Sequence, residues 1–158
     1  MRKALRSPIL AVGLVIAVAG TALATDGFGL TPTTLSRGTV TEKVHFNTGE
    51  VKFQTKADVD LVTQTITFAA GSTSGWHAHP GIVLVTVASG TLVRYDSDCS
   101  ATTYTAGTAR SAFVESGNHS GLVRNETASA AVVYVTYIVP KGTTALRIDK
   151  ADPGCGPS

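Results

Sequence analysis

Short apolar runs, broken every few residues by glycine or asparagine, constrain this chain more than any other feature of its sequence. β-Branched and aromatic residues concentrate over 40–46, 51–54, 59–68, 82–87, 91–95, 112–114 and 131–139, and such residues favour pleated strands. Between these runs fall Asn47-Thr48-Gly49, Ala70-Gly71, Ser89-Gly90, Ala106-Gly107 and Gly117-Asn118, which is the spacing of turns joining antiparallel strands. Nowhere do ten residues hold a helical apolar face. The 158 residues, 43% of them hydrophobic and 15% charged, suffice for one all-β domain with a real core. Periodicity alone leaves sandwich and barrel open.

Two runs carry more detail. Ile82-Val83-Leu84-Val85-Thr86-Val87 is apolar at all but one position, which predicts a central strand covered on both faces. Residues 59–68 alternate, with Val62, Ile66 and Phe68 on one side, so one face of that strand lines a core or a cavity. Residues 25–36 are rich in Thr, Gly and Pro without apolar period. They predict an extended, poorly ordered arm over 25–37, ahead of a domain over 38–158.

The first 24 residues read as a cleaved export leader. Arg2, Lys3 and Arg6 precede an apolar stretch, and Ala22-Leu23-Ala24 supplies the small residues of a cleavage site. The apolar segment is short for a membrane span and diluted by Gly13, Gly20 and Thr21, so no stable span is expected after cleavage. Removing three leader cations from thirteen Lys and Arg leaves ten against eleven Asp and Glu. A mature chain near neutrality has no basic face for nucleic acid. Export to an oxidising compartment makes a disulfide the favoured fate of Cys99 and Cys155. Closing that loop stabilises the fold by roughly 4 kcal/mol in the chain-entropy account. The pair lacks the C-x-x-C spacing of zinc sites.

The segment most suggestive of chemistry is Gly75-Trp76-His77-Ala78-His79-Pro80-Gly81. Residues two apart on a strand share a face, so two imidazoles placed in this way can hold one metal ion. With its flanks this stretch resembles the first motif of the cupin superfamily, G-x5-H-x-H-x3,4-E-x6-G. The match runs Gly71, His77, His79, then Val83 where the motif has glutamate, then Gly90. Asn125 resembles the closing asparagine of the second motif, which puts Gly121 at that motif's histidine. The resemblance spans about 59–140 and implies a jelly-roll β-barrel with both motifs at its mouth. It also implies pairing of two copies through sheet edges, and no single reaction.

Replacement ligands stand nearby in sequence. His119 lies two residues from Gly121 and is the nearest candidate for a third ligand, and Glu115 is a second candidate whose bland alternative is a solvated edge charge. Three such ligands suit Fe(II), Mn(II), Ni(II), Cu(II) or Zn(II). The competing reading of His77 and His79 is a metal-free, hydrogen-bonded pair at the barrel rim. Trp76, Val83, Gly121 and Asn125 are expected around the pocket. His45 reads as an ordinary strand histidine, and Tyr95, Tyr104, Tyr134 and Tyr137 offer an acid only if one faces inward. Two function classes follow: a module that binds a small molecule or a divalent metal, and a metal-dependent oxidoreductase or isomerase using His77, His79 and His119. A structural or adhesive envelope protein is a third reading.

Overall fold

The computed structural model describes residues 24–156, so the leader expected over 1–24 lies outside them apart from its last residue. Among the described residues there is no helix. Twelve strands follow one another: β1 (Phe28–Val40), β2 (His45–Asn47), β3 (Lys52–Gln54), β4 (Val59–Thr73), β5 (His77–Ala78), β6 (Ile82–Ser89), β7 (Thr91–Asp96), β8 (Ala101–Thr105), β9 (Ala112–Glu115), β10 (Gly121–Arg124), β11 (Ala131–Pro140) and β12 (Ile148–Asp149).

All pairings are antiparallel. One layer runs β1-β4-β11-β6-β9 and the other β12-β5-β10-β7-β8. They join where Arg124 of β10 pairs with Thr73, the last residue of the long β4. The hairpin of β2 and β3 stands apart. This is the expected all-β jelly roll, a sheet bent into two facing layers around one core. Val62, Val83, Val85, Leu92, Val123 and Val133 from both layers meet in that core.

Two expectations need correction. Residues 25–37 do not form a loose arm: β1 pairs with β4 from Phe28↔Thr73 to Val40↔Val59. This edge strand leaves nearly all its side chains exposed, with only Leu30 and Val40 half-buried. Its order comes from backbone hydrogen bonds, which leave no apolar alternation to read, and Pro32 is tolerated because the strand is at an edge. The strand β6 is central in its pairing but is covered on one face only. Val83, Val85 and Val87 are buried while Ile82 and Leu84 are 45% and 43% exposed. Its apolar run reflects β-branched fit to a pleated sheet flanked on both edges.

The two ends of the described residues close over β5. Cys99 and Cys155 form the expected disulfide, with Cα atoms 5.2 Å apart, tying the tail to the turn between β7 and β8. Upstream of it β12 pairs with β5. From the other end, Thr25 accepts the Trp76 N–H on Oγ1 at 2.7 Å. Gly75 has φ +64, and a Cβ there would run into the backbone of residues 25–27, so only glycine lets this segment lie across the histidine strand.

Candidate metal centre

β5 is only two residues long, and neighbours on both edges fix it. His77 pairs with Gly121 of β10 and with Asp149 of β12. His77 and His79 therefore turn the same way, as spacing by two requires, and both are buried with ring centroids 4.7 Å apart. Each ring is oriented by a backbone carbonyl. The Gly75 carbonyl lies 2.9 Å from His77 Nδ1, and the Leu146 carbonyl 2.6 Å from His79 Nδ1. A carbonyl can only accept, so each Nδ1 carries the hydrogen and each Nε2 is left facing inward. This outer-shell arrangement presents imidazole to a metal. Burial, above all, pushes the His77 imidazole down to about 4, so it is neutral and has a free lone pair at pH 7.

The third member is Glu115, which is buried rather than a solvated edge charge. It pairs directly across from Val83, the position where the first motif has its glutamate. Residues opposite one another in an antiparallel pair share a face, so the carboxylate enters the same region from the neighbouring strand. Its Oε2 lies 3.1 Å from His79 Nε2. Nitrogen and oxygen ligand atoms of His77, His79 and Glu115 all lie within 4.8 Å of one another. Burial raises the Glu115 carboxyl, but the contact with His79 and the electrostatic effect of the surrounding imidazoles and Arg94 together outweigh it and hold it below its ordinary range.

Arg94 of β7 stands behind the carboxylate. Its Nη1 and Nη2 grip Asp96 at 2.7 and 2.6 Å, and its Nε lies 3.5 Å from Glu115 Oε1. The guanidinium also sits over the Phe113 ring. Gly121 has room for this pair: an added Cβ would lie 3.7 Å from Arg94 Nη2 and 3.8 Å from Glu115 Oε1. Where the second motif would project a histidine, this chain places an arginine–glutamate pair.

The cluster sits at the edge of a cavity of about 350 Å³ between the two layers. Val83 lines it, but the other three residues expected there do not. Trp76 is fully buried behind the histidine strand. Gly121 is backbone support. Asn125, also fully buried, is a pin: its amide donates to the Phe68, Ala69 and Ser129 carbonyls. His119 is exposed in the turn between β9 and β10, outside the cluster, because that turn carries it past the rim. His45 is exposed on β2. Of the tyrosines, Tyr137 faces inward. It lines the cavity, its ring packs edge-on to His79 at 5.5 Å, and burial pushes its phenol up to about 12, so it stays a hydrogen-bond donor.

The sequence alone did not single out Arg94 or Arg147; it offered Glu115 as a second candidate ligand and Tyr137 as one of four tyrosines. For Glu115 a local signal existed, since Phe113 and Glu115 share one parity of β9 and both are buried. The donor set of two oriented imidazoles and one anionic carboxylate fits a divalent transition ion. It is the set used by non-haem iron(II) sites, which keep open positions for a ligand.

Strand order and site together define a cupin-type jelly roll carrying a two-histidine, one-carboxylate cluster. No family model and no curated protein matches the chain. Solved structures similar to it include a cupin domain from Bordetella pertussis, 17% identical over 70% of this chain and 93% of the other, with TM-score 0.47. Another is the Cupin_2 domain of an XRE family transcriptional regulator from Enterobacter cloacae, 18% identical over 72% and 100%, with TM-score 0.48. A third, oxalate oxidase in complex with the substrate analogue glycolate, is 21% identical over 49% of this chain and 41% of its own, with TM-score 0.42. The likeness is one of fold, and the reading of the site rests on this chain's own residues.

Proposed function

We propose that this protein binds a divalent transition-metal ion on His77, His79 and Glu115 and holds a small molecule in the adjoining cavity, in an extracytoplasmic compartment. The observation that carries the reading is the convergence of three buried ligand atoms within 4.8 Å at one end of a cavity of about 350 Å³. Both imidazoles and the carboxylate turn into one buried space, where a shared cation would engage all three at once. When bound, such an ion supplies a Lewis acid with open positions toward the cavity. The chain's own part is to orient both imidazoles through Gly75 and Leu146, to keep the carboxylate charged through Arg94, and to exclude water with the apolar wall. The compartment is supported by the leader-like first 24 residues and by the Cys99–Cys155 bridge. With His119 exposed, a metal-dependent reaction would draw on Glu115 in its place.

Metal analysis tests this reading. Protein purified without chelators, and protein reloaded separately with Fe(II), Mn(II), Ni(II), Cu(II) and Zn(II), should hold close to one ion per chain for at least one metal. The His77→Ala, His79→Ala double variant should hold none while keeping its β-sheet circular dichroism. Folded wild-type protein that stays metal-free under every loading condition refutes the proposal.

A further inference from the structure

The cavity is sharply two-sided. One end holds the His77, His79 and Glu115 cluster, and most of the remaining wall is apolar, built from residues such as Leu30, Phe68, Leu92, Phe113 and Val133. Most of its other polar side chains are spent on the protein itself. The Ser74 hydroxyl serves the Gly75 carbonyl and the Val123 N–H. Arg147 pairs through Nε with Asp149 and through Nη1 with the Ser74 carbonyl, and its Nη2 is shut within the protein. Gln64 is half-buried with its amide on Thr34, and Thr144 is exposed. Tyr137 is different. It is 6% exposed and lines the cavity, yet among the described residues its hydroxyl makes no hydrogen bond, and it is not sealed off as Arg147 Nη2 is. A hydroxyl so placed is costly unless an acceptor reaches it.

Strand register sets where that side chain points. Tyr137 of β11 stands opposite Val83 of β6, and Val83 opposite Glu115 of β9, so all three project from one face. Both ends of this row reach His79: the Tyr137 ring packs edge-on to it at 5.5 Å, and Glu115 Oε2 lies 3.1 Å from its Nε2. Tyr137 thus borders the cluster. We infer that Tyr137 selects the ligand of this cavity, donating its O–H to the carbonyl oxygen of a mostly apolar ketone whose hydrocarbon part lies among the apolar walls. The assignment rests on the cavity reading above and holds with or without the ion. A carbonyl oxygen carries lone pairs and no hydrogen, so it accepts from Tyr137 and asks for no acceptor in return. An alcohol would bring a hydrogen that competes with the cluster for Glu115. A carboxylate would bring a second negative charge beside Glu115, with no cationic side chain turned toward the cavity to meet it. Size follows from volume: an apolar cavity of about 150 Å³ holds benzene, so about 350 Å³ accommodates roughly a dozen non-hydrogen atoms.

Calorimetric titration of wild type and Tyr137→Phe with 1-tetralone and 1-methylenetetralin, in which a CH₂ group replaces the carbonyl oxygen, tests the assignment. Chelator-treated protein is used, so the outcome stands apart from the metal analysis above. The ketone should bind Tyr137→Phe about fivefold more weakly than wild type, the worth of one neutral hydrogen bond, while the hydrocarbon keeps its affinity. The urea midpoint of the variant should not fall, because the hydroxyl holds no partner in the fold. A ketone bound equally well by both chains overturns the assignment. Both probes weakened alike, with a lower midpoint, would make the hydroxyl a structural group and overturn it as well. In wild type alone, the infrared carbonyl stretch of bound ¹³C-labelled ketone should lie below its position in cyclohexane, and a stretch at the cyclohexane position overturns the assignment without any variant. Wild type that binds neither probe overturns the cavity reading beneath it, whatever its metal content.

Discussion

Replacing Glu115 by glutamine keeps the side chain's shape and removes its charge, and the expected cost can be worked from its neighbours. Deleting one partner of a buried ion pair commonly costs about 3–5 kcal/mol, because the remaining charge is left uncompensated. Here the remaining charges have other recourse. Arg94 keeps its two-pronged grip on Asp96 at 2.7 and 2.6 Å, and His79 keeps its Nδ1–H on the Leu146 carbonyl. What remains is one weakened buried polar contact, in the range of about 1–3 kcal/mol. The expected loss for Glu115→Gln is therefore about 2 kcal/mol, read from urea unfolding of chelator-treated, disulfide-intact protein with an unchanged m-value. Metal affinity of the same variant should fall by at least about tenfold, since even outer-shell changes cost that much. A stability change under about 0.5 kcal/mol, the size of an ordinary surface substitution, with undiminished metal binding would show that the carboxylate is a bystander and that the cluster has been read wrongly.

The buried His77 imidazole gives the metal-free protein a pH signature. Its value is about 4 in the fold and about 6.5 in the unfolded chain. Between those values the unfolded state binds a proton that the native state refuses. Stability is therefore full above pH 6.5, falls as pH drops through the window and levels near pH 4. The loss from pH 7 to pH 5 is about 2 kcal/mol by linkage, and the lowered Glu115 carboxyl extends the decline in the same direction. Urea melts showing equal or greater stability at pH 5 would contradict the burial argument. Breaking the bridge between Cys99 and Cys155, which are separated by 56 residues, with a Cys99→Ser, Cys155→Ser pair should cost about 4 kcal/mol, measured as a lower urea midpoint. An unchanged midpoint would mean that the tail holds its place without the link.

How much of this was legible in the sequence depended on whether the information was local. The shared face of His77 and His79 follows from a spacing of two along one extended segment, and it held because β5 is pinned on both edges. The disulfide was legible through compartment chemistry. The strand β1 was not, since an edge strand with exposed side chains on both faces carries its order in backbone pairing. The open outer face of β6 was misread because an apolar run reports fit to a sheet as readily as burial. Glu115, Arg94 and Tyr137 reach the site through the registers of β9, β7 and β11, pairings between segments distant in sequence. No local period reports those registers. Arg147 arrives by a tail that crosses the mouth and whose course is set by β12 and by a bond formed eight residues later.

The carboxylate of the cluster stands at position 115, directly across the sheet from position 83, which shows why linear motif register is a weak guide to a site of this kind. The face of a sheet, not the order of residues along one strand, decides which side chains meet. Val83 and Glu115 are direct partners across β6 and β9, and Cβ atoms so paired are about 4.5–5.5 Å apart. That is a distance a glutamate spans with its own rotatable bonds, so an acidic group can leave one strand and reappear on the next while still reaching the same two imidazoles. The arrangement also shapes the cavity. Val83 extends the apolar wall up to the cluster, while at Gly121 no side chain stands between the backbone and the facing Arg94 and Glu115.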